Sequence, residues 1–241
     1  MSAETEATDG RPEIHHDHRD VTGGWLRPAV FGMNDGLVSN FALIAGLSGG
    51  GATSHTVALA GLAGVFAGAF SMGSGEYISV ASQSELAQAE IDIEKHEIRH
   101  RPEAELRELA MLYEGRGVDP ETARSVAKQL SADPEQAWRI HAREELGIDP
   151  DDLPSPWIAA SSSFVAFSLG AVVPLLPYLF GGVRLLVPLV LSLMTLFVTG
   201  ALVSRFTNRP WWYSGLRQVV LGGLAAAVTY AVGGAVGTTV G

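Results

Sequence analysis

The chain has 241 residues and a formal net charge of −10, yet its mean hydropathy is +0.20, with 47% hydrophobic and only 17% charged residues. A disordered acidic chain would lack that apolar share, and an ordinary soluble domain carries roughly 25% charge, so both are excluded. The conflict resolves once charge is located: residues 82–152 hold 18 acids and 9 bases, whereas 28–81 and 153–241 together hold 2 acids, Asp35 and Glu76, and 4 bases. This segregation predicts an all-α membrane protein with one charged, water-facing insert.

Residues 1–24 are expected to form a disordered tail without the basic and apolar regions of a cleaved signal. Its His15-His16-Asp17-His18 run is short, and the reading without function is favoured over transient metal binding. A membrane helix needs about 20 mainly apolar residues. The first candidate covers about Trp25–Gly49 and the second about Thr56–Ala81, both rich in glycine. The second carries Gly64, Gly68, Met72 and Glu76 four apart on one face. Gly64-x-x-x-Gly68 permits close helix approach, either within the chain or along a homodimer seam. Spacing leaves both open.

Residues 82–100 lack Gly and Pro, so the second helix is expected to run on into water until Pro102. A helix then fits Pro102–Glu114. Two more open with the same device, Asp119-Pro120-Glu121 and Asp133-Pro134-Glu135, which read as cap, first helical residue and first-turn acid. The last should close at Gly147. Residues 149–156 form a Pro-rich return linker. Three further spans are expected, at about Trp157–Phe180, Val183–Val203 and Leu216–Val240. Pro174 and Pro177 can break the third, giving a hinge.

Lysine and arginine placement orients the spans. Arg11, Arg19, Arg27, the nine bases of the insert, and Arg205, Arg209 and Arg217 share one side if the N-terminus and insert are cytosolic and the C-terminus is outside. Arg184 is the exception. Trp157 and the Trp211-Trp212-Tyr213 run read as interfacial aromatics.

There is no cysteine, which excludes disulfides, thiolate metal sites and cysteine nucleophiles. The acidic balance argues against nucleic acid. Ser161-Ser162-Ser163 has no histidine or acid nearby in sequence, and no nucleophile triad or phosphate loop is present, so an enzyme is not expected. Ionisable side chains in a membrane are costly and mark function. Asp35 should lie roughly 12 Å and Glu76 roughly 8 Å from the same interface, by helix rise, so that they can meet. Neither segment offers Lys or Arg at that depth. Two carboxylates with the soft Met72 thioether suit a divalent transition metal. In the insert, Glu94-x-x-Glu97 and Glu105-x-x-Glu108 place paired carboxylates on helix faces, as carboxylate-bridged metal bundles do. The spacing also fits a merely solvated face. His96, His100 and His141 stand nearby in sequence.

The run Phe31-Gly-Met-Asn-Asp35-Gly-Leu-Val-Ser-Asn40, continuing Ala-Leu-Ile-Ala-Gly-Leu-Ser-Gly after Phe41, resembles the first helix of the vacuolar iron transporter family. Ser71-Met72-Gly-Ser-Gly-Glu76-Tyr-Ile-Ser, Glu145-Leu-Gly-Ile and Val173-Pro-Leu-Leu-Pro-Tyr178 resemble that family as well, over about residues 23–241. The resemblance implies a homodimeric Fe²⁺/H⁺ antiporter that moves metal out of the cytosol. It implies a path through Asp35 and Met72, with Glu76 a further acid where some members are neutral. It implies metal capture by Glu94, Glu97, Glu105, Glu108 and Glu145. Eukaryotic members often carry a Met pair at the positions of His141 and Ala142, where His141 offers nitrogen instead of sulfur. Mn²⁺ and Zn²⁺ are the other candidate ions. The alternatives are a Mn²⁺ exporter and a membrane-anchored metal sensor. The expected partners are metal cations, protons, the lipid bilayer and a second copy. A prokaryotic plasma membrane is the expected location.

Overall fold

The computed structural model describes residues 24–181, 185–206 and 209–240. The expected tail, its histidine run, Arg11, Arg19 and Arg184 lie outside the described residues.

The described residues fold into helices alone. They are α1 (Leu26–Gly49), α2 (Ser54–His100), α3 (Pro102–Gly115), α4 (Pro120–Leu130), α5 (Pro134–Glu144), α6 (Pro156–Leu179), α7 (Leu186–Val203) and α8 (Trp211–Val240), with a short 3-10 turn at Ser204–Phe206. Five of them, α1, α2, α6, α7 and α8, are long and apolar enough to cross a membrane. The protein is a multi-pass membrane protein. Large apolar side chains stay exposed along these five, among them Phe66, Phe70, Leu169, Met194 and Leu224. Such a surface suits lipid, where exposure to water would be a liability.

Cap chemistry starts the insert's helices where the sequence places them. The Asp119 carboxylate accepts from the Glu121 and Thr122 amides at 3.0 and 3.2 Å, and Asp133 accepts from the Glu135 amide at 3.0 Å. Each satisfies amides that a helix start leaves without partners. α2 is one helix of 47 residues, about 70 Å long at 1.5 Å per residue. Its second half leaves the apolar bundle and carries the insert. Ile91 and Ile98 of α2 pack on Ala137, Trp138 and Ala142 of α5. Lys95 of α2 approaches the Trp138 ring at 4.2 Å, which pins α5 to α2 by cation–π contact, and Arg139 of α5 itself lies 4.7 Å from the same ring. Leu109 and Ala110 of α3 close on Ala127 of α4.

In the bundle, α6 packs along both α1 and α2, α1 also packs on α8, and α8 on α7. Glycine sets the α1–α6 distance. A Cβ at Gly36 would stand 2.2 Å from the Phe167 carbonyl oxygen, and one at Gly170 would stand 2.3 Å from that of Met33. Backbones that close admit no side chain, as in small-residue membrane seams. Gly170→Leu is therefore expected to cost well over about 1–3 kcal/mol, the usual range for overpacking. Loss of the monodisperse peak in detergent size-exclusion would show it; a wild-type profile would mean the helices can separate cheaply.

α6 runs unbroken through Pro174 and Pro177, so neither proline breaks the span. α8 starts at Trp211, five residues before the expected Leu216. Pro210 precedes that start, and its carbonyl accepts from the Tyr213 and Ser214 amides, so the Trp-Trp-Tyr run becomes the first turn.

Candidate metal sites

The first site lies between α1, α2 and α6. Asp35, Ser39, Asn40 and Leu43 of α1 face Gly64, Gly68, Ser71 and Met72 of α2 across a cleft of 270 Å³, with Phe167 of α6 beside them. Asp35, Ser39 and Leu43 are four apart and so form one stripe. Among the described residues, Asp35 makes no hydrogen bond or ion pair. Met72 is half-buried and touches the bundle core. A wider cleft of 710 Å³ opens between α1, α6, α7 and α8, but its walls are almost wholly apolar and carry no acid. Nothing in it attracts a cation.

The two small residues of α2 have partners inside the chain. A Cβ at Gly68 would meet the Phe167 ring at 2.1 Å, and one at Gly64 would meet Asn40 and Leu43 at 3.0 Å. Both glycines thus pack closely within the chain.

Glu76 stands apart from the cleft. Its buried carboxylate accepts from the exposed Arg27 guanidinium at 3.1 Å. The sequence-based expectation that no arginine could reach it is corrected. Arg27 sits in the first turn of α1, two helical turns before Asp35, and its long side chain extends across to α2. One turn separates Glu76 from Met72, on the side of α2 nearer the insert.

The second site lies in the insert. Glu94 of α2, Glu105 of α3 and His141 of α5 are all buried, and their ligand atoms fall within 4.8 Å of one another. His141 Nδ1 stands 3.6 Å from Glu94, 3.7 Å from Glu105 and 3.5 Å from Glu145 at the rim. These separations are long for direct hydrogen bonds. They match the roughly 3.4 Å edge of a tetrahedron of N and O atoms about 2.1 Å from one ion. Glu94 Oε2 and His141 Nε2 are buried without a hydrogen-bond partner among the described residues. Such orphans are costly.

Electrostatics agree with the geometry. Burial first, then the neighbouring Glu145, Glu105, Glu108 and Glu97, push Glu94 up to about 7. Burial, followed by Glu108, also raises Glu105, while His141 pulls it partly back. Glu97 and Glu108 thus act at a distance. Glu97 is engaged by Arg101 at 3.2 Å, and Glu108 is exposed. The stacked His96 and His100 rings lie outside the group.

A family model described as the VIT family matches residues 26–234. The chain belongs to the VIT family. This is a transporter family, not one of enzymes. The "Vacuolar iron transporter" of Acanthamoeba castellanii is 40% identical, over 88% of this chain and 78% of its own length. "Vacuolar iron transporter 1" of Oryza sativa subsp. japonica is 36% identical over 93% and 90%, and its Arabidopsis thaliana namesake is 35% identical over 90% and 88%. Those names place the relatives at a vacuole, and nothing in them supports a prokaryotic plasma membrane for this VIT-family chain.

The structure thus brings Asp35 with Met72, and Glu94 with Glu105, His141 and Glu145. It leaves Glu76, Glu97 and Glu108 outside these two groups. Two residues escaped sequence reasoning. Arg27 marks orientation and the interface in the sequence, and its reach to Glu76 has no sequence sign. Asn40 is an amide in an apolar helix five residues past Asp35, and that isolation was the available sign.

Proposed function

We propose that the protein carries Fe²⁺ out of the cytosol in exchange for protons, with Mn²⁺ as the nearest competitor. The observation that supports this reading best is a carboxylate and a thioether, Asp35 and Met72, facing one cleft between membrane-spanning helices. A resident structural ion or a sensor has no need of an acid at that depth. The iron-transporting names of the relatives point the same way.

In this reading the insert is cytosolic and carries a net charge of −9 over residues 82–152. That field concentrates cations at its surface. Glu94, Glu105, His141 and Glu145 hold the ion, while Glu97 and Glu108 supply field around it. The mixed oxygen and nitrogen donors suit Fe²⁺ or Mn²⁺ and also Zn²⁺. The ion then passes Glu76 and Arg27 at the mouth and reaches Asp35 and Met72. Protons and metal compete for the same carboxylates, because only the ionised form is a ligand. Protons arriving from the far side discharge the ion and reset the acids.

The test is uptake into proteoliposomes of the full chain, with Fe²⁺, Mn²⁺, Zn²⁺ and Ca²⁺ offered with and without a pH gradient. Fe²⁺ flux should rise several-fold with an acidic interior, and Ca²⁺ flux should stay at background. Flux indifferent to the gradient would remove antiport, and no flux of any ion would leave the sensor reading.

A further inference from the structure

Asn40 is 2% exposed in the middle of α1. Its Nδ2 donates to the Ala171 carbonyl of α6 at 2.6 Å. A carbonyl only accepts, so the nitrogen must face Ala171 and the amide cannot turn over. The other end, Oδ1, is buried and has no donor partner among the described residues. It faces Gly64, where a Cβ would lie 3.0 Å from it. Asn40 and Gly64 both line the cleft that holds Asp35 and Met72.

A tie between α1 and α6 needs only the nitrogen. It leaves unexplained a buried oxygen with no donor, which costs free energy in an apolar surround. We infer that Asn40 Oδ1 is a further ligand to the divalent cation in this cleft, fixed in aim by its bond to Ala171 and given room by the missing side chain of Gly64. The inference rests on reading the cleft as the metal path. The donor set becomes one carboxylate, one amide oxygen and one thioether, with the Ser39 and Ser71 hydroxyls at the edge. Mixed hard and soft donors of this kind fit a first-row transition ion. The amide differs from Asp35 in one respect. It does not titrate, so it offers the cation an oxygen at every pH, while Asp35 exchanges metal for a proton.

The experiment is Fe²⁺ uptake by the full chain in proteoliposomes, with half-saturating Fe²⁺ and maximal rate measured at several pH values. Asn40→Leu removes the oxygen and the tie together. Gly64→Ala keeps the tie and fills the space in front of Oδ1. Both are expected to raise half-saturating Fe²⁺ about tenfold, the scale of one contact to a charged group. The factor should be the same at each pH. If Asn40→Leu fails to fold, Gly64→Ala decides alone. Wild-type half-saturation in Gly64→Ala, or a factor that changes with pH, overturns the assignment. Asp35→Asn run in parallel separates the two claims. Full flux in that variant removes the path itself, whereas lost flux beside an unaltered Gly64→Ala removes only Asn40.

Discussion

Asp35→Asn should reduce Fe²⁺ flux in proteoliposomes to background while leaving the protein folded. The substitution keeps shape and removes one charge. A divalent ion that leaves water needs negative charge at its stopping points, and Asp35 is the acid that the cleft contains. Met72 and the serine hydroxyls are neutral and cannot replace it. The amide also has no proton to exchange, so coupling to a gradient is lost together with binding. Stability should move the other way. A carboxylate without an ion pair among the described residues is costly at membrane depth, and an amide is cheaper there. The variant should therefore melt at or above the wild-type temperature in detergent. Background flux with unchanged or raised melting supports the path, and wild-type flux would sink it.

Much of the bundle was legible because the signals were local and strong. Runs of about 20 apolar residues fix a span whatever surrounds them. Asp-Pro-Glu at 119–121 and 133–135 starts a helix by its own hydrogen bonds, and the structure begins α4 and α5 at those prolines. The last span begins earlier than its apolar run because Pro210 starts the helix and draws the Trp-Trp-Tyr run into its first turn. Pro174 and Pro177 are residues that can break a helix, but a membrane helix has little alternative to staying helical. Family resemblance pointed to Glu94 and Glu105, and also to Glu97 and Glu108. Spacing three apart could not say which member of each pair turns inward. That depends on how α3 and α5 close against α2, which is tertiary information. The Arg27–Glu76 pair was missed for a related reason. Depth counted along separate helices ignores the reach of an arginine side chain across them.

Metal capture by the insert should fail progressively as pH falls through about 7. Glu94 carries the proton that must leave, because burial and four neighbouring glutamates hold its carboxyl up to about 7. Below that value, each pH unit should cost about tenfold in apparent affinity for each proton displaced. Titration of Mn²⁺ or Fe²⁺ into the full chain with Asp35→Asn, which leaves the insert site alone, reads this directly. The metal-free protein should behave in the opposite way. A carboxyl raised in the folded state binds its proton more tightly there than in the unfolded chain. Stability is therefore fullest near pH 4.5, the ordinary glutamate value, and is lost as pH climbs through the folded value of about 7. Glu94→Gln removes that loss. Without metal, the variant should melt above the wild type at pH 8, by several degrees on the scale of roughly 2–4 °C per kcal/mol for a chain of this size. The two should converge near pH 5. With metal the order should reverse, because the variant lacks the ligand that converts the buried charge from a penalty into an attraction. If Glu94→Gln gains no stability at pH 8, the carboxylate is not under the strain that the cluster imposes. If it keeps wild-type metal affinity, the ion does not sit between Glu94, Glu105 and His141.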